Sequence, residues 1–207
     1  MTHLDDPLRE LSEIRQMMER SSRFLSLSGL SGIFAGGVAL LGALAAWRFL
    51  NGNLRILAMS QDNWPIGFYR FFIIDFGGVL ILSLIGGIYF TTRRARQRGW
   101  KVWDNTSKRL LINLAIPLAV GGAFCYLLLH RAPELIAATT LIFYGMALIN
   151  ASKYTHNDVR YLGICEIALG LLAGWFAGMG VSLLFWALGF GVLHIVYGAV
   201  LYRKYGS

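Results

Sequence analysis

The sequence predicts an all-α integral membrane protein, a bundle of six transmembrane helices arranged as three hairpins behind a cytoplasmic amphipathic helix. Three observations predict this fold. The 207 residues are 56% hydrophobic and only 14% charged, whereas about a quarter of a typical soluble domain is charged. The apolar residues form runs that reach the roughly 20 residues a membrane span needs. Lysines and arginines flank those runs and do not interrupt them.

The first element, residues 1–22, is predicted to be a polar, amphipathic helix in the cytoplasm. Asp6 followed by Pro7 is typical of a helix start. An apolar stripe recurs at helical spacing and consists of Leu4, Leu8, Leu11, Ile14 and Met18. Residues 23–207 are predicted to form the six-span transmembrane domain.

The spans follow as three hairpins, at about 24–92, 110–151 and 161–202. The last apolar stretch is twice the length of one span, so it must fold back, and Met179-Gly180 near its middle is the predicted turn. The six predicted spans are about 24–47, 71–92, 110–129, 134–151, 161–178 and 182–202. An aromatic cluster typical of a membrane interface precedes the second span: Trp64, Phe68, Tyr69, Phe71 and Phe72.

The distribution of positive charge predicts the orientation. With six spans, 15 of the 19 lysines and arginines fall on the face that holds the N-terminus and the 93–109 loop, and four fall on the other face. Because cytoplasmic loops are rich in Lys and Arg, both termini are predicted to be cytoplasmic. The net charge of +8 is explained by topology, and no nucleic-acid partner is predicted.

An internal repeat is predicted from a shift of 53 residues, which aligns the second hairpin with the third without a gap. The paired positions include Asn113 with Glu166, Gly121 with Gly174, Tyr144 with Tyr197 and Gly145 with Gly198. The first hairpin matches this repeat more weakly. Ser28 and Gly36 are eight residues apart, as Asn113 and Gly121 are, and Gly86 corresponds to Gly145.

Glycines at corresponding places are predicted to pack helices closely: Gly32, Gly36, Gly121, Gly145, Gly174 and Gly198. Gly32 and Gly36 form a GxxxG pair in the first span. Their contact is expected within the chain, and a contact between chains is the alternative.

Ionisable residues inside a membrane are costly and often functional, and three qualify: Asp75, Glu166 and His194. Glu166 and His194 each lie fourteen residues from Gly180, so the fold-back predicts them level on adjacent helices. The pair would pass protons or hold a cation. The alternatives are hydrogen bonding between helices, or Glu166 reaching the interface near Arg160. Asp75 is expected to be an interfacial anion near Arg70, and polar Asn113 is expected to bond between helices.

No motif for catalysis, a metal or a cofactor is present, so no such site is predicted. Two cysteines, Cys125 and Cys165, are expected to be small buried side chains. The leading hypothesis is a non-enzymatic accessory, regulatory or self-assembling membrane protein, whose partners are the bilayer, a second copy or another membrane protein. The alternative is a small transporter or channel with Glu166 and His194 near a proton or ion pathway.

The stretch ERSSRFLSLSGLSGIFAGG, residues 19–37, resembles the opening of a family of small, uncharacterised multi-pass bacterial membrane proteins. The resemblance covers about a tenth of the chain. It implies a location in the bacterial inner membrane, and it carries no activity and no functional residue.

Overall fold

The computed structural model describes residues 28–58, 64–99, 102–176 and 178–205, and these residues are helical almost throughout, with no strand among them. The amphipathic helix predicted at 1–22 lies outside the described residues. The helices are α1 (Gly29–Gly52), α2 (Leu54–Leu57), α3 (Ile66–Gln97), α4 (Asn105–Leu128), α5 (Ile136–Ala151), α6 (Asp158–Trp175), α7 (Met179–Trp186) and α8 (His194–Tyr205). A π-helical segment, Ala187–Leu193, joins α7 to α8 as one continuous helix.

Five helical segments among the described residues are long and apolar enough to cross a membrane, which makes the chain a multi-pass membrane protein. They are Gly29–Gly52, Ile66–Gln97, Asn105–Leu128, Pro133–Tyr154 and Gly180–Tyr205. The remaining long helix, α6, is 18 residues long and carries Asp158, Arg160 and Glu166. These three charges fall within its 18 residues, whereas each of the other five segments contains an apolar stretch of 18 residues with at most two charges. α6 lies between α5 and the last helix.

Several helix boundaries differ from the predicted spans because polar residues continue a helix beyond its apolar run. α3 extends through the basic residues Arg93, Arg94 and Arg96, so much of the predicted 93–109 loop is helical. At the start of α4, Asp104 caps the helix, since its carboxylate accepts a hydrogen bond from the Ser107 amide at 2.7 Å. α6 ends at Trp175 and α7 begins at Met179, so Met179 and Gly180, predicted to form the turn, are the first residues of α7.

The helices form an open arc in the order α4, α5, α6, the α7–α8 helix, α1 and α3. Consecutive helices in this order pack side by side. Although α3 and α4 are neighbours in sequence, they lie at opposite ends of the arc. Among the described residues, the ring of Tyr69 on α3 lies 5.0 Å from that of His130, two residues beyond the end of α4, and the two helices do not pack along their lengths.

The aromatic cluster before the second span packs inside the bundle. Phe68 and Trp64 are buried, and the ring of Phe71 stacks on Phe49 of α1 with centroids 3.9 Å apart. The cluster therefore fastens α3 to α1. We call this end of the bundle the aromatic end.

The opposite end, which we call the basic end, carries Arg93, Arg96, Lys108, Arg109, Lys153, Arg160 and Arg203. Here Arg94 and Arg98 both donate hydrogen bonds to the carbonyl of Tyr205, at 3.0 and 2.8 Å. Two cations thus complement the C-terminal carbonyls of α8, where the helix dipole is negative.

Two of the helix contacts share one pattern of close approaches. In each contact, a glycine faces the carbonyl of a second glycine and the amide of an isoleucine. Between α5 and α6 the three residues are Gly145, Gly163 and Ile167. Between α8 and α1 they are Gly198, Gly29 and Ile33. A Cβ on Gly145 or Gly198 would come within 2.5 or 2.6 Å of the glycine carbonyl oxygen. We name these contacts the α5–α6 seam and the α1–α8 seam.

Other predicted packing glycines have different surroundings. Gly32 and Gly36 both face the last helix, so their GxxxG face is occupied within the chain. Gly121 lies against Phe143, whereas a Cβ on Gly174 would find room, 3.6 Å from the Cβ of Ala138. The two cysteines are not buried as expected, because each lies on the outer side of its helix: Cys125 is half-buried and Cys165 is exposed.

Candidate functional site

Glu166 and His194 meet inside the bundle. Glu166 lies near the middle of α6 and is fully buried, and His194, at the first position of α8, is 6% exposed. The carboxylate oxygen Oε1 lies 3.3 Å from the imidazole Nδ1. Because its side chain is buried among the helices, Glu166 does not reach toward the membrane interface, which was the alternative suggested by its closeness to Arg160 in sequence. The two residues occupy one packed contact, at the level that the fold-back predicts.

The imidazole of His194 is held at both ring nitrogens. Nδ1 lies 3.0 Å from the carbonyl oxygen of Gly189, and Nε2 lies 2.9 Å from the hydroxyl of Tyr144 on α5. A carbonyl only accepts, so Nδ1 carries a hydrogen. In the neutral ring Nε2 then accepts from Tyr144, and in the imidazolium Nε2 becomes a donor and the hydroxyl must accept.

The π-helical segment shapes this site. A π-helix contains one extra residue per turn and often marks a functional position. A Cβ built on Gly189 would come within 2.5 Å of Glu166 Oε2. Because residue 189 has no side chain, the carboxylate can lie against the backbone of the π-helical segment. The same residue presents its carbonyl to His194.

Both carboxylate oxygens of Glu166 are buried and have no hydrogen bond from another described residue. The nearest polar group is the His194 ring, which also bonds to Gly189. A buried ionised carboxylate is costly unless it is paired and hydrogen-bonded. The site therefore holds a carboxyl group whose charge depends on protonation, on the imidazole or on a bound cation.

Asp75 lies apart from this pair. It packs against α1, where both carboxylate oxygens would be 3.7 Å from a Cβ on Gly42. Asp75 is half-buried and its Oδ2 is buried without a hydrogen bond from the described residues. The side chain thus faces a neighbouring helix, and its position as an anion at the membrane interface stays a prediction.

Asn113 is also separate from the Glu166–His194 pair. Its amide donates to the Arg109 carbonyl at 2.8 Å, one turn earlier in α4. The predicted bond between helices is thus replaced by a bond within its own helix.

A second polar group lies at the basic end, where Asp158 begins α6. Its carboxylate accepts hydrogen bonds from Lys204 Nζ at 3.0 Å and from the Tyr205 hydroxyl at 2.8 Å. Burial acts to raise the pKa of Asp158, but these hydrogen bonds outweigh it and hold the pKa below its usual value. The carboxylate therefore stays ionised and links α6 to the end of α8.

Sequence reasoning missed Tyr144 and Gly189 as parts of the site. Tyr144 was visible only as one half of the repeated Tyr-Gly pair. The π-helical segment has no signal in hydrophobic periodicity, because one inserted residue shifts the helical face without breaking the apolar run. The pair Gly189 and Gly191 was the available signal, as glycine is unusual at the centre of a helix.

Comparison with known proteins yields one partial similarity. No family model matches the chain, and no solved structure matches it. The chain is similar to an undecaprenyl-diphosphatase from Lacticaseibacillus paracasei, with 25% identity over 115 residues. The matched region covers 52% of this chain and 40% of that protein, so the chain spans less than half of its length.

Proposed function

We propose that this chain is a small membrane transporter or channel in which Glu166 and His194 bind a proton or a cation inside the bilayer. The observation that carries the proposal is the fully buried Glu166 carboxylate, 3.3 Å from His194 Nδ1. Ionisable groups at such depth commonly mark proton relays or ion pathways. The third member, Tyr144, would follow the charge of the imidazole by reorienting its hydroxyl.

The alternative, that the pair only fastens helices together, is opposed by the second seam. In the α5–α6 seam, Glu166 follows Gly163 by three residues. In the α1–α8 seam, the residue at the same distance after Gly29 is Gly32. The α1–α8 seam makes equally close approaches with no carboxylate at that place. Tight packing of this kind therefore does not need an acidic side chain.

The matching seams also support the internal repeat, which we include in the proposal. They favour a register for the first hairpin in which Gly29, Ile33 and Gly36 correspond to Gly163, Ile167 and Gly170. The sequence comparison instead paired Ser28 with Glu166 and Gly36 with Gly174, and the two registers differ by one helical turn. We further propose six spans with both termini in the cytoplasm of a bacterial inner membrane, which places the basic end at the cytoplasmic surface.

The test is proton flux into liposomes that hold the purified full-length chain and an internal pH-sensitive dye. A potassium diffusion potential drives proton entry, and parallel samples report sodium entry with a sodium-sensitive dye. We expect Glu166→Gln to slow the flux by about a hundredfold, the scale of a positioned proton-transfer group. Cys165→Ala is the matched control, since Cys165 is adjacent on α6 but exposed. Wild-type flux of both ions in a folded Glu166→Gln protein would overturn the proposal.

A second candidate is a membrane phosphatase that acts on an isoprenoid diphosphate, and the similarity to an undecaprenyl-diphosphatase favours it. A carboxylate beside an imidazole suits general acid–base chemistry. Release of phosphate from undecaprenyl diphosphate by the purified chain, lost in Glu166→Gln, would establish this candidate in place of transport. The similarity gives no support to a purely non-enzymatic role.

Association with another membrane protein is the third candidate. The glycine face of α1 cannot serve it, because α8 occupies that face. The outer face of α3 is open, and a Cβ on Gly77, Gly78 or Gly87 would meet nothing within 4 Å. If the protein extracted in a mild detergent is a monomer with no other protein bound to it, that result would count against association.

A further inference from the structure

The first 22 residues, which precede the described part of the chain, are opposite in charge to the chain as a whole. They contain five acidic and three basic side chains, a formal charge of −2, whereas the whole chain carries +8. In the helix predicted there, Asp6, Glu10 and Glu13 are four and three residues apart and therefore share one face, which we call the acidic row. Amphipathic helices that bind anionic lipid carry lysines and arginines on their polar face, so anionic headgroups would repel the acidic row.

The first long helix of the structure begins among the arginines of the basic end. Gly36 of α1 lies against Ile195 of α8. Gly29, seven residues earlier, lies against Tyr202, seven residues later. The two helices thus run in opposite directions, and Arg203 is level with the residue that precedes α1. The side chain of Arg203 is exposed.

The end of α3 brings two more exposed arginines to the same level. α3 runs opposite to α1, because the start of α3 meets the end of α1 at the aromatic end. Phe34 of α1 packs against Gly86 of α3. Arg93 is seven residues beyond Gly86, and Ser28 is six residues before Phe34, so Arg93 is level with Ser28. Arg96 lies about one turn farther out, and both arginine side chains are exposed.

We call Arg93, Arg96 and Arg203 the arginine cluster, and the described part of the chain provides no carboxylate for it. The ion pairs between described residues join other groups, Glu166 to His194 and Asp158 to Lys204. Three like charges around the start of one helix repel one another, so an anion beside them would stabilise this end of the bundle.

The connection between the acidic row and the arginine cluster is short. The six residues from 23 to 28 span at most about 20 Å when fully extended. Helices that pack side by side lie about 8–10 Å apart, so arginines on the two neighbours of α1 are within reach of the segment. A tether of this length also keeps the segment at a high effective concentration, and ion pairs that are weak individually can then hold it.

We propose that residues 1–22 dock on the basic end beside α1, with the acidic row against the arginine cluster. The occupant of this charged surface is thus a segment of the same chain. The inference goes beyond the proposed function, because it involves neither Glu166 nor His194 and holds whether or not the chain carries ions.

The experiment measures the distance between two spin labels in the full-length chain in lipid nanodiscs, by double electron–electron resonance. The labels are attached at Ser12→Cys, outside the acidic row, and at Gln97→Cys, exposed at the end of α3. Cys125→Ser and Cys165→Ser remove the native thiols. We expect one narrow distance distribution in nanodiscs of neutral lipid. Raising the salt from about 0.1 M to about 1 M shortens the screening length from about 10 Å to about 3 Å, and the narrow peak should then be lost.

Charge reversal identifies the groups that hold the segment. Arg93→Glu together with Arg96→Glu should abolish the narrow peak. Adding Glu10→Lys and Glu13→Lys to that protein should restore it, because the opposite charges then face each other again.

Lys108→Glu together with Arg109→Glu is the matched control. It reverses two exposed cations of the basic end on α4, which lies at the far end of the arc from α3. The narrow peak should be unchanged in this control. Wild-type helix content and a single gel-filtration peak establish that each variant is folded.

Three results would overturn the proposal. A broad distribution in the wild type would show that the segment is not docked and leaves the basic end open to another partner. A narrow peak that appears only in anionic lipid, or that survives Arg93→Glu with Arg96→Glu, would place the segment on the lipid surface or elsewhere. Equal loss of the peak in the α4 control would show an effect of total charge. None of these results bears on the flux of Glu166→Gln, so the proposed function stands or falls separately.

Discussion

The Glu166 carboxylate lies against the backbone of Gly189, so closely that a Cβ on residue 189 would come within 2.5 Å of Oε2. Substitution of this one glycine therefore tests whether the position of the carboxylate matters. We expect Gly189→Ala to push Glu166 from the His194 ring and to cost about 1–3 kcal/mol of unfolding free energy, as overpacking does. Unfolding in detergent mixtures measures the cost. Gly87→Ala is the control, because a Cβ there meets nothing within 4 Å; an equal loss in both variants would contradict the expectation.

The α5–α6 seam predicts a contrast between two glycines. Gly145→Ala would set a Cβ 2.5 Å from the Gly163 carbonyl oxygen, a backbone atom that cannot move aside alone. We expect a loss of about 1–3 kcal/mol. At Gly174 a Cβ would lie 3.6 Å from Ala138, so Gly174→Ala should be neutral or slightly stabilising. Thermal unfolding of the two variants compares them, and similar melting temperatures would refute the seam geometry.

The hydrogen bond from Tyr144 to His194 makes a spectroscopic prediction. Tyr144→Phe leaves Nε2 of His194 without its partner at 2.9 Å, which should cost about 1 kcal/mol. It should also change the ¹⁵N chemical shift of that ring nitrogen in solid-state NMR. Tyr126→Phe should leave the His194 signals unchanged, and a shift of equal size in the control would show that the effect is not local.

The Asp158 carboxylate predicts a pH dependence at the basic end. Its pKa in the folded protein is lowered from an ordinary value of 3.8, so the unfolded chain binds the proton more readily. The stabilisation is therefore complete above pH 3.8 and disappears as the pH falls through the lowered value. Melting temperatures measured in this range should fall more for the wild type than for Asp158→Asn. Parallel curves would contradict the prediction.

The proposed topology is tested with reporter fusions. A fluorescent protein that folds only in the cytoplasm should be bright when fused after Ser207. It should be dark when it follows Arg131, which the six-span arrangement places outside. An alkaline phosphatase fusion at the same two places should give the opposite result. A fluorescent fusion at Arg131 would contradict the six-span arrangement.

Sequence reasoning reached the helical membrane class and the meeting of Glu166 with His194, since both follow from run length and from equal distances to one turn. It did not reach the extra residue of the π-helical segment, which alters backbone hydrogen bonding without altering composition. The length of α3 was missed because arginines are good helix formers but end an apolar run. The contact of Asp75 with Gly42 was not predicted, because the rotation of α3 that turns the carboxylate toward α1 cannot be read from its sequence neighbour Arg70.

The open arc has a consequence for how the chain can be divided. Because α3 and α4 stand at opposite ends of the arc and do not pack along each other, a cut between them separates no packed pair of neighbouring helices in the chain. The halves on either side of Gly99 meet mainly through the α1–α8 seam, where glycine backbones lie within van der Waals reach. Two pieces expressed separately after a cut there would each keep their own helix pairs, and the pair formed by α1 and the α7–α8 helix would lie between them. They form a natural split protein, whose reassembly in a membrane would report the strength of one seam.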